Sequence, residues 1–129
     1  MAEKTSTTIT PFLTVSNGKK AVDFYVAAFG AIENVRHKLS DDKIIAEISI
    51  EGAGFYVGDE EPEYGNLSPH QNSSSPVRII LQTTNADTLF AKAIASGATQ
   101  ICPMTTEDIW RIGKLKDPFG HIWELGYIL

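Results

Sequence analysis

The sequence has 129 residues, of which 43% are hydrophobic, and its formal net charge is −5 at pH 7. A chain of this length buries roughly two thirds of its unfolded surface, so it can fold as one domain without disulfides or a structural metal. Its lysines and arginines are scattered along the chain, which argues against a protein that binds nucleic acid. Because there is no apolar leader and no apolar run of the ~20 residues that span a membrane, we expect a cytoplasmic protein without membrane partners.

The first part of the chain predicts a strand, a helix and three further strands. A run rich in β-forming residues at 9–15 is followed by Asn17, a residue type that caps helices. Apolar residues then recur with helical spacing until Gly30, which tolerates the backbone conformation that ends a helix. The three strands that follow are expected at residues 32–39, 43–50 and 54–58.

The pattern restarts after a polar stretch. Residues 59–76 contain three prolines and four serines without any period, which is typical of a linker or a mobile flap. A strand is then expected at 77–83, with Asn85 as the cap of a helix at 87–96. The last three strands are expected near residues 99–103, 109–116 and 121–128.

The two halves of the chain are therefore copies of one βαβββ module. The two capping asparagines, Asn17 and Asn85, lie 68 residues apart at equivalent positions. One module cannot cover its own sheet, so we expect the modules at about 8–58 and 77–129 to share a single domain over residues 1–129. The predicted fold is of the α+β class, with a curved mixed eight-stranded sheet, helices outside and a concave inner face.

Two segments resemble a known family. The opening run Thr-Pro-Phe-Leu-Thr-Val at 10–15, with Ala-Val-Asp-Phe-Tyr at 21–25 and Phe-Gly-Ala at 29–31, is similar to the start of vicinal-oxygen-chelate proteins. The closing run Asp-Pro-Phe-Gly-His-Ile-Trp-Glu-Leu at 117–125 resembles their last hairpin. In particular, the chain is similar to the PhnB-like branch of the glyoxalase/bleomycin-resistance group. The resemblance implies this group's fold, whereas its members range from metal-dependent enzymes to proteins that sequester antibiotics.

The resemblance also implies where a metal would bind. Metal-using members take their ligands from the first and last strand of each module, and these positions correspond to Thr10, Tyr56, Arg78 and Glu124. Only Glu124 is an ordinary metal ligand, while a catalytic metal typically has about three protein ligands. We therefore expect no metal and no other cofactor. A carboxylate without a counter-charge is costly in a cleft, so Arg78 is expected to pair with Glu124.

Alternation along the strands adds further residues to the concave face. Glu47 and Glu124 are candidates for a carboxylate pair in acid–base chemistry, or Glu47 shares Arg78 or faces open water. Trp110 lines a ligand pocket, or it serves in packing or at an interface. Arg111 keeps the place of an arginine in the PhnB-like pattern. The expected ligand-binding set comprises Thr10, Phe12, Glu47, Ser49, Tyr56, Arg78, Ile80, Trp110, Arg111 and Glu124.

Three functions stay open on the sequence. The first is a binding protein that takes a small molecule in a metal-free cleft, with a role in resistance or sequestration. We expect such a protein to be a homodimer whose grooves are completed by the partner chain. The alternative is a metal-dependent lyase, isomerase or dioxygenase of the vicinal-oxygen-chelate type. The third is an accessory module with a vestigial pocket.

Overall fold

Both halves of the chain form the same succession of elements. The computed structural model describes residues 6–70 and 75–129. The elements of the first module are β1 (Phe12–Val15), α1 (Gly18–Phe29), β2 (Ile32–Lys38), β3 (Ile44–Ile50) and β4 (Ala53–Asp59). Those of the second module are β5 (Arg78–Gln82), α2 (Ala86–Ala95), β6 (Thr99–Glu107), β7 (Trp110–Lys116) and β8 (Ile122–Ile128), after a short 3₁₀ turn at Pro62–Tyr64. The predicted α+β fold of two βαβββ modules is confirmed.

The backbone hydrogen bonds divide the eight strands into two mixed sheets of four. The strand orders are β1-β4-β3-β2 and β5-β8-β7-β6, so the two sheets have the same topology. In each sheet the first strand of the module is parallel to the last, and all other pairs are antiparallel. Over the described residues no ladder joins the two sheets. The expected eight-stranded arrangement is thus made of two halves that meet through side chains.

The two helices begin in different ways. The Asn17 side chain accepts a hydrogen bond from the Lys20 amide at 3.0 Å, and α1 ends at Gly30 with φ 65°, both as predicted. Asn85 occupies the N-cap position of α2, as predicted, but its side chain makes no capping hydrogen bond. Its amide instead donates to the carboxylate of Glu51 at 2.7 Å, and Glu51 also accepts from the Thr83 hydroxyl at 2.7 Å. A turn of the first module therefore holds the start of the second module's helix.

The modules pack through the faces that carry their helices. The buried indole of Trp123 on β8 lies 5.6 Å from the ring of Tyr25, 5.0 Å from Phe29 and 5.5 Å from Phe55, all in the first module. The helices α1 and α2 also contact each other. Burying such large apolar side chains stabilises the fold by about 1.5–3 kcal/mol each. The opposite face of each sheet is left without a covering helix.

A buried carboxylate ties this junction together. Asp117 accepts hydrogen bonds from the Tyr25 hydroxyl at 2.5 Å and from the Trp123 indole at 2.9 Å. The backbone amides of Phe119 and His121 satisfy its other oxygen. Burial and the neighbouring Asp117 carboxylate raise the pKa of the Tyr25 hydroxyl well above its usual value, so it stays a donor. The His121 ring adds a further bond between the modules, at 2.8 Å from the carbonyl oxygen of Thr14.

Neither described helix combines the length and the apolar character needed to cross a bilayer.

Candidate functional site

The uncovered side of the second sheet carries most of the predicted site. Leu81, Leu115 and Leu125 are buried toward the helices, so their strand neighbours point to the other side. We call that side the second open face. It comprises Arg78, Ile80 and Gln82 of β5, Glu124 and Gly126 of β8, and Trp110, Ile112 and Lys114 of β7.

A cluster of three charges lies on the second open face. The Arg78 guanidinium Nε is 3.2 Å from Oε1 of Glu124, so the expected ion pair is present. The Lys114 ammonium lies 3.5 Å from the same oxygen, from the position directly opposite Glu124 in the β7–β8 ladder. The side chain of Glu124 is only 14% exposed, against 57% for Arg78 and 31% for Lys114. The carboxylate is therefore covered, while both cations reach solvent.

Sequence reasoning missed Lys114, although a signal for it was available. The tight turn at residues 117–120 fixes the register of the hairpin between β7 and β8. Counting back from that turn places Lys114 opposite Glu124. The residue was overlooked because the resemblance directs attention only to the first and last strand of each module.

A shallow hollow of about 40 Å³ adjoins the charge cluster. Its border is mainly apolar: Ile80 is 67% exposed there and Trp110 is 43% exposed. Gly126 is one of its lining residues, and a Cβ at that position would collide with the backbone carbonyl of Arg111. A larger residue there would therefore require a shift of the backbone. The full border consists of Ile80, Gln82, Trp110, Arg111, Ile112, Glu124, Leu125 and Gly126.

A second hollow, of about 180 Å³, lies on the other side of Glu124. Lys114, Glu107 and Glu124 supply its charged groups, and the exposed Cys102 borders it. Cys102 faces Lys114 across the β6–β7 ladder. Because Glu124 borders both hollows, the charge cluster stands between them.

The uncovered side of the first sheet, the first open face, has a different character. Phe12 and Tyr56 stack there with ring centres 5.8 Å apart. Glu47 lies opposite Tyr56 in the β3–β4 ladder, with its carboxylate 3.8 Å from the His37 ring. The Ser49 hydroxyl accepts a hydrogen bond from the Asn34 amide at 3.2 Å. This face is therefore aromatic and acidic.

The chain does not bring all predicted site residues together. Glu47 and Glu124 belong to different sheets, and the side chain of Glu47 is 40% exposed, which matches the alternative in which it faces water. Thr10 is exposed ahead of β1. The Arg111 guanidinium turns toward α2 and contacts Asp87 at 2.8 and 3.0 Å. This hydrogen bond raises the pKa of Arg111 above its usual value. A role in ligand binding stays a prediction for each residue of the set.

The residues at the expected metal position do not fit a divalent ion. Within residues 6–70 and 75–129, no three His, Cys, Asp or Glu side chains form a group that could hold a metal. The one carboxylate at that position, Glu124, already faces Arg78 and Lys114. A divalent cation would meet two positive charges and one ligand, whereas metal sites assemble several neutral or negative ligands.

Comparisons with known proteins agree with the fold. No family model matches the chain. The chain is 35% identical over 132 residues to the uncharacterized protein Mb0911c of Mycobacterium bovis, a match that covers 98% of this chain and 86% of that protein.

Solved structures are similar at lower identity. TioX from Micromonospora sp. ML1 has a TM-score of 0.75 at 21% identity, covering 96% of this chain and 100% of that one. A glyoxalase/bleomycin resistance protein/dioxygenase family enzyme from Burkholderia phytofirmans has 0.71 at 17%, covering 92% and 95%. The fosfomycin resistance protein FosX from Listeria monocytogenes, in complex with Mn(II) and sulfate, has 0.68 at 16%, covering 98% and 95%. The chain therefore belongs to the same family as Mb0911c and has the glyoxalase/bleomycin resistance/dioxygenase fold.

Proposed function

We propose that the protein binds a small molecule on the second open face without a metal, in a resistance or sequestration role. The observation that carries this proposal is the Arg78–Glu124–Lys114 cluster beside an apolar hollow. Ligand sites typically combine an apolar surface with a few polar groups that fix orientation. The proposal also includes a cytoplasmic location and membership of the PhnB-like branch. The opening and closing motifs of the sequence support that membership.

The position of the carboxylates favours binding over acid–base catalysis. An acid–base pair needs two groups within reach of one substrate. Glu47 and Glu124 lie in different sheets of the chain, and Glu124 is engaged by two cations. The metal-dependent lyase, isomerase or dioxygenase is disfavoured by the same cations. FosX shares the fold and was crystallised with Mn(II), which makes added metal a necessary arm of the test.

We also propose a homodimer in which the first open face of one copy completes a groove over the second open face of the other, with the ligand between them. Large apolar side chains are exposed on both faces, among them Phe12, Ile32, Ile80, Trp110 and Ile128. Monomeric proteins rarely leave wide apolar patches in solvent. The modules of one chain already use their helix faces against each other, so the sheet faces are what a second copy can cover. A two-fold pairing is the commonest closed arrangement.

Light scattering tests the homodimer. The expected mass is twice the 14.1 kDa of the chain. Ile128→Glu should shift the protein toward the monomer, because it buries a charge in the proposed interface. Val26→Glu is the matched control, since Val26 is 45% exposed against 51% for Ile128 but lies on α1. A monomeric wild-type protein, or equal effects of the two variants, would refute the pairing.

A thermal-shift screen of small aromatic compounds and antibiotics tests binding. A compound at 100 times its Kd stabilises the folded state by about 2.7 kcal/mol, which is several degrees in Tm. Trp110→Ala should abolish the shift, while Tyr64→Ala, which removes an exposed ring outside both faces, should leave it unchanged. If Mn, Zn or Ni raises Tm and Glu124→Gln removes that effect, the metal-dependent alternative is correct. A screen without any hit contradicts the proposal.

A further inference from the structure

Resting on the proposed binding function, we infer that the ligand carries an oxyanion, such as a carboxylate, held by Arg78 and Lys114, next to an apolar ring on Ile80 and Trp110. The chain as a whole is acidic, which by itself would favour a cationic ligand. The local arrangement on the second open face reverses that expectation.

The charge cluster has one positive charge in excess. Two cations contact the same oxygen of a single carboxylate. More than half of the Arg78 side chain and about a third of the Lys114 side chain are exposed, whereas Glu124 is largely covered. A ligand that approaches this face therefore meets the guanidinium and the ammonium before it meets the carboxylate.

The geometry of Arg78 suits a second acceptor. Its closest approach to Glu124 is through Nε, from the position two residues earlier on the neighbouring parallel strand. A guanidinium offers five N–H donors in a planar fork, so it can hold one carboxylate from the side and another from its exposed edge. Lys114 adds a point charge from the opposite side of Glu124.

The other carboxylate that borders these hollows, Glu107, lies at a distance from the cluster. Glu107 pairs with Trp110 across the β6–β7 ladder, four residues along β7 from Lys114. At about 3.3 Å per residue, this places it roughly 13 Å along the strand. Glu107 and Lys114 border the same hollow, but this offset along the backbone exceeds the Debye length of about 8–10 Å and weakens the repulsion between Glu107 and an oxyanion at Arg78 and Lys114.

The hollow beside the cluster is shallow. Its volume of about 40 Å³ is far below the range of about 300–1,000 Å³ typical of enclosed ligand sites, so an apolar group would lie against the face without being enclosed by it. The exposed side chains of Ile80 and Trp110 provide the surface on which a flat ring would rest. The class of ligand is therefore an acid with a flat apolar ring.

Three probes of one shape test the charge: 2-naphthoate, its neutral 2-naphthamide and the cationic 2-naphthylmethylamine. Each is titrated into the full chain and followed by protein-observed NMR, with Kd from the shifts of the second open face. We expect the acid to bind at least about tenfold more tightly than the amide, and the amine to bind most weakly. Raising the salt concentration should weaken only the acid, because screening acts on the charged contact.

Substitutions of the charged residues test whether each of them strengthens or weakens the binding of an anion. Arg78→Gln and Lys114→Met should each weaken 2-naphthoate about tenfold, and Lys92→Met, which removes an exposed charge from α2, should not. Glu124→Gln should strengthen 2-naphthoate, because it removes the competing anion. Should Glu124→Gln fail to fold by its NMR spectrum, Arg78→Gln and Lys114→Met decide the question.

The outcomes separate this inference from the function on which it rests. If the amide or the amine binds to the face as tightly as the acid, or if Glu124→Gln weakens the acid, the oxyanion is wrong and the binding function stands. If no probe shifts any resonance of the second open face, the inferred ligand class is wrong, and the thermal-shift screen decides the binding function separately.

Discussion

The two open faces occupy equivalent positions in the repeat, yet they present opposite chemistry. Tyr56 and Glu124 are 68 residues apart and lie at the same place in their sheets, and Glu47 and Lys114 are their respective partners across the antiparallel ladder. The first face therefore has an aromatic residue paired with an acid, and the second has an acid paired with a base. The repeated backbone fixes positions, whereas the side chains at those positions are free to differ.

This difference in charge favours the association of two copies through unlike faces. The acidic, aromatic first face and the cationic second face are complementary in charge, which favours contact between unlike faces over contact between like faces. Within one chain the faces do not meet, because the helix-bearing sides are packed together.

The largest difference in stability between the two faces should come from alanine substitutions at the equivalent glycines Gly58 and Gly126. A Cβ at Gly126 would collide with the backbone carbonyl of Arg111, which cannot move without disrupting the ladder. We expect Gly126→Ala to lower the free energy of unfolding by about 3 kcal/mol. Gly58→Ala should cost less, since the atoms in its way belong to the side chains of Phe12 and Ile45.

Urea unfolding measures both substitutions. Gly54→Ala on the first open face is the control, because the nearest atom to its Cβ is 3.8 Å away. Equal losses at the two equivalent glycines would show that the faces do not differ in how tightly the backbone is packed.

The next largest effect on stability should come from the buried contact between the two modules, which keeps the two open faces apart. Tyr25→Phe removes one donor from the buried carboxylate of Asp117 and leaves the ring in place. We expect a loss of about 2 kcal/mol in the free energy of unfolding, the typical cost of a buried acceptor that loses its partner. Tyr64→Phe, at an exposed ring, should change nothing measurable. An unchanged stability of Tyr25→Phe would mean that Asp117 does not depend on this bond.

The smallest effect should come from the pH dependence of the Glu51 contact. Hydrogen bonds from Thr83 and Asn85 lower the pKa of Glu51 below its ordinary value of 4.5. A depressed carboxyl pKa stabilises the folded state above the unfolded value, and this contribution is lost as the pH falls through the folded value. Glu51→Gln should therefore flatten the decline of stability below pH 4.5, by a small amount because Glu51 lies at the surface.

Urea midpoints of wild type and Glu51→Gln between neutral and acidic pH check this expectation. Glu63→Gln, which removes an exposed carboxylate from the 3₁₀ turn, is the control. Curves for Glu51→Gln that run parallel to wild type would rule out this contribution.

Much of the fold could be read from the sequence, because its signals are local. Gly30 and Gly97 follow the ends of the two helices, as expected. The spacing of apolar residues also changes from helical to alternating where the helices give way to strands. Strand alternation also identified the sides of β3 correctly, since Ile48 and Ile50 are buried and Glu47 is not.

What the sequence did not reveal depends on contacts between distant segments. Asn85 has the residue type of a helix cap, but its side-chain amide donates a hydrogen bond to Glu51, 34 residues earlier in the chain, and makes no capping bond. The separation of Glu47 from Glu124 depends on which faces of the modules pack together, and alternating strands look the same in either arrangement. Lys114 could have been found, because its partner follows from the register of one tight hairpin.

The contact between Glu51 and the start of α2 makes each module part of the other's structure. A protein cut within residues 60–76 would leave α2 without the carboxylate that orders its first turn, and would leave the carbonyl of Thr14 without the ring of His121. The two halves of this repeat are thus mutually dependent, and neither fragment should be stable unless the other is supplied.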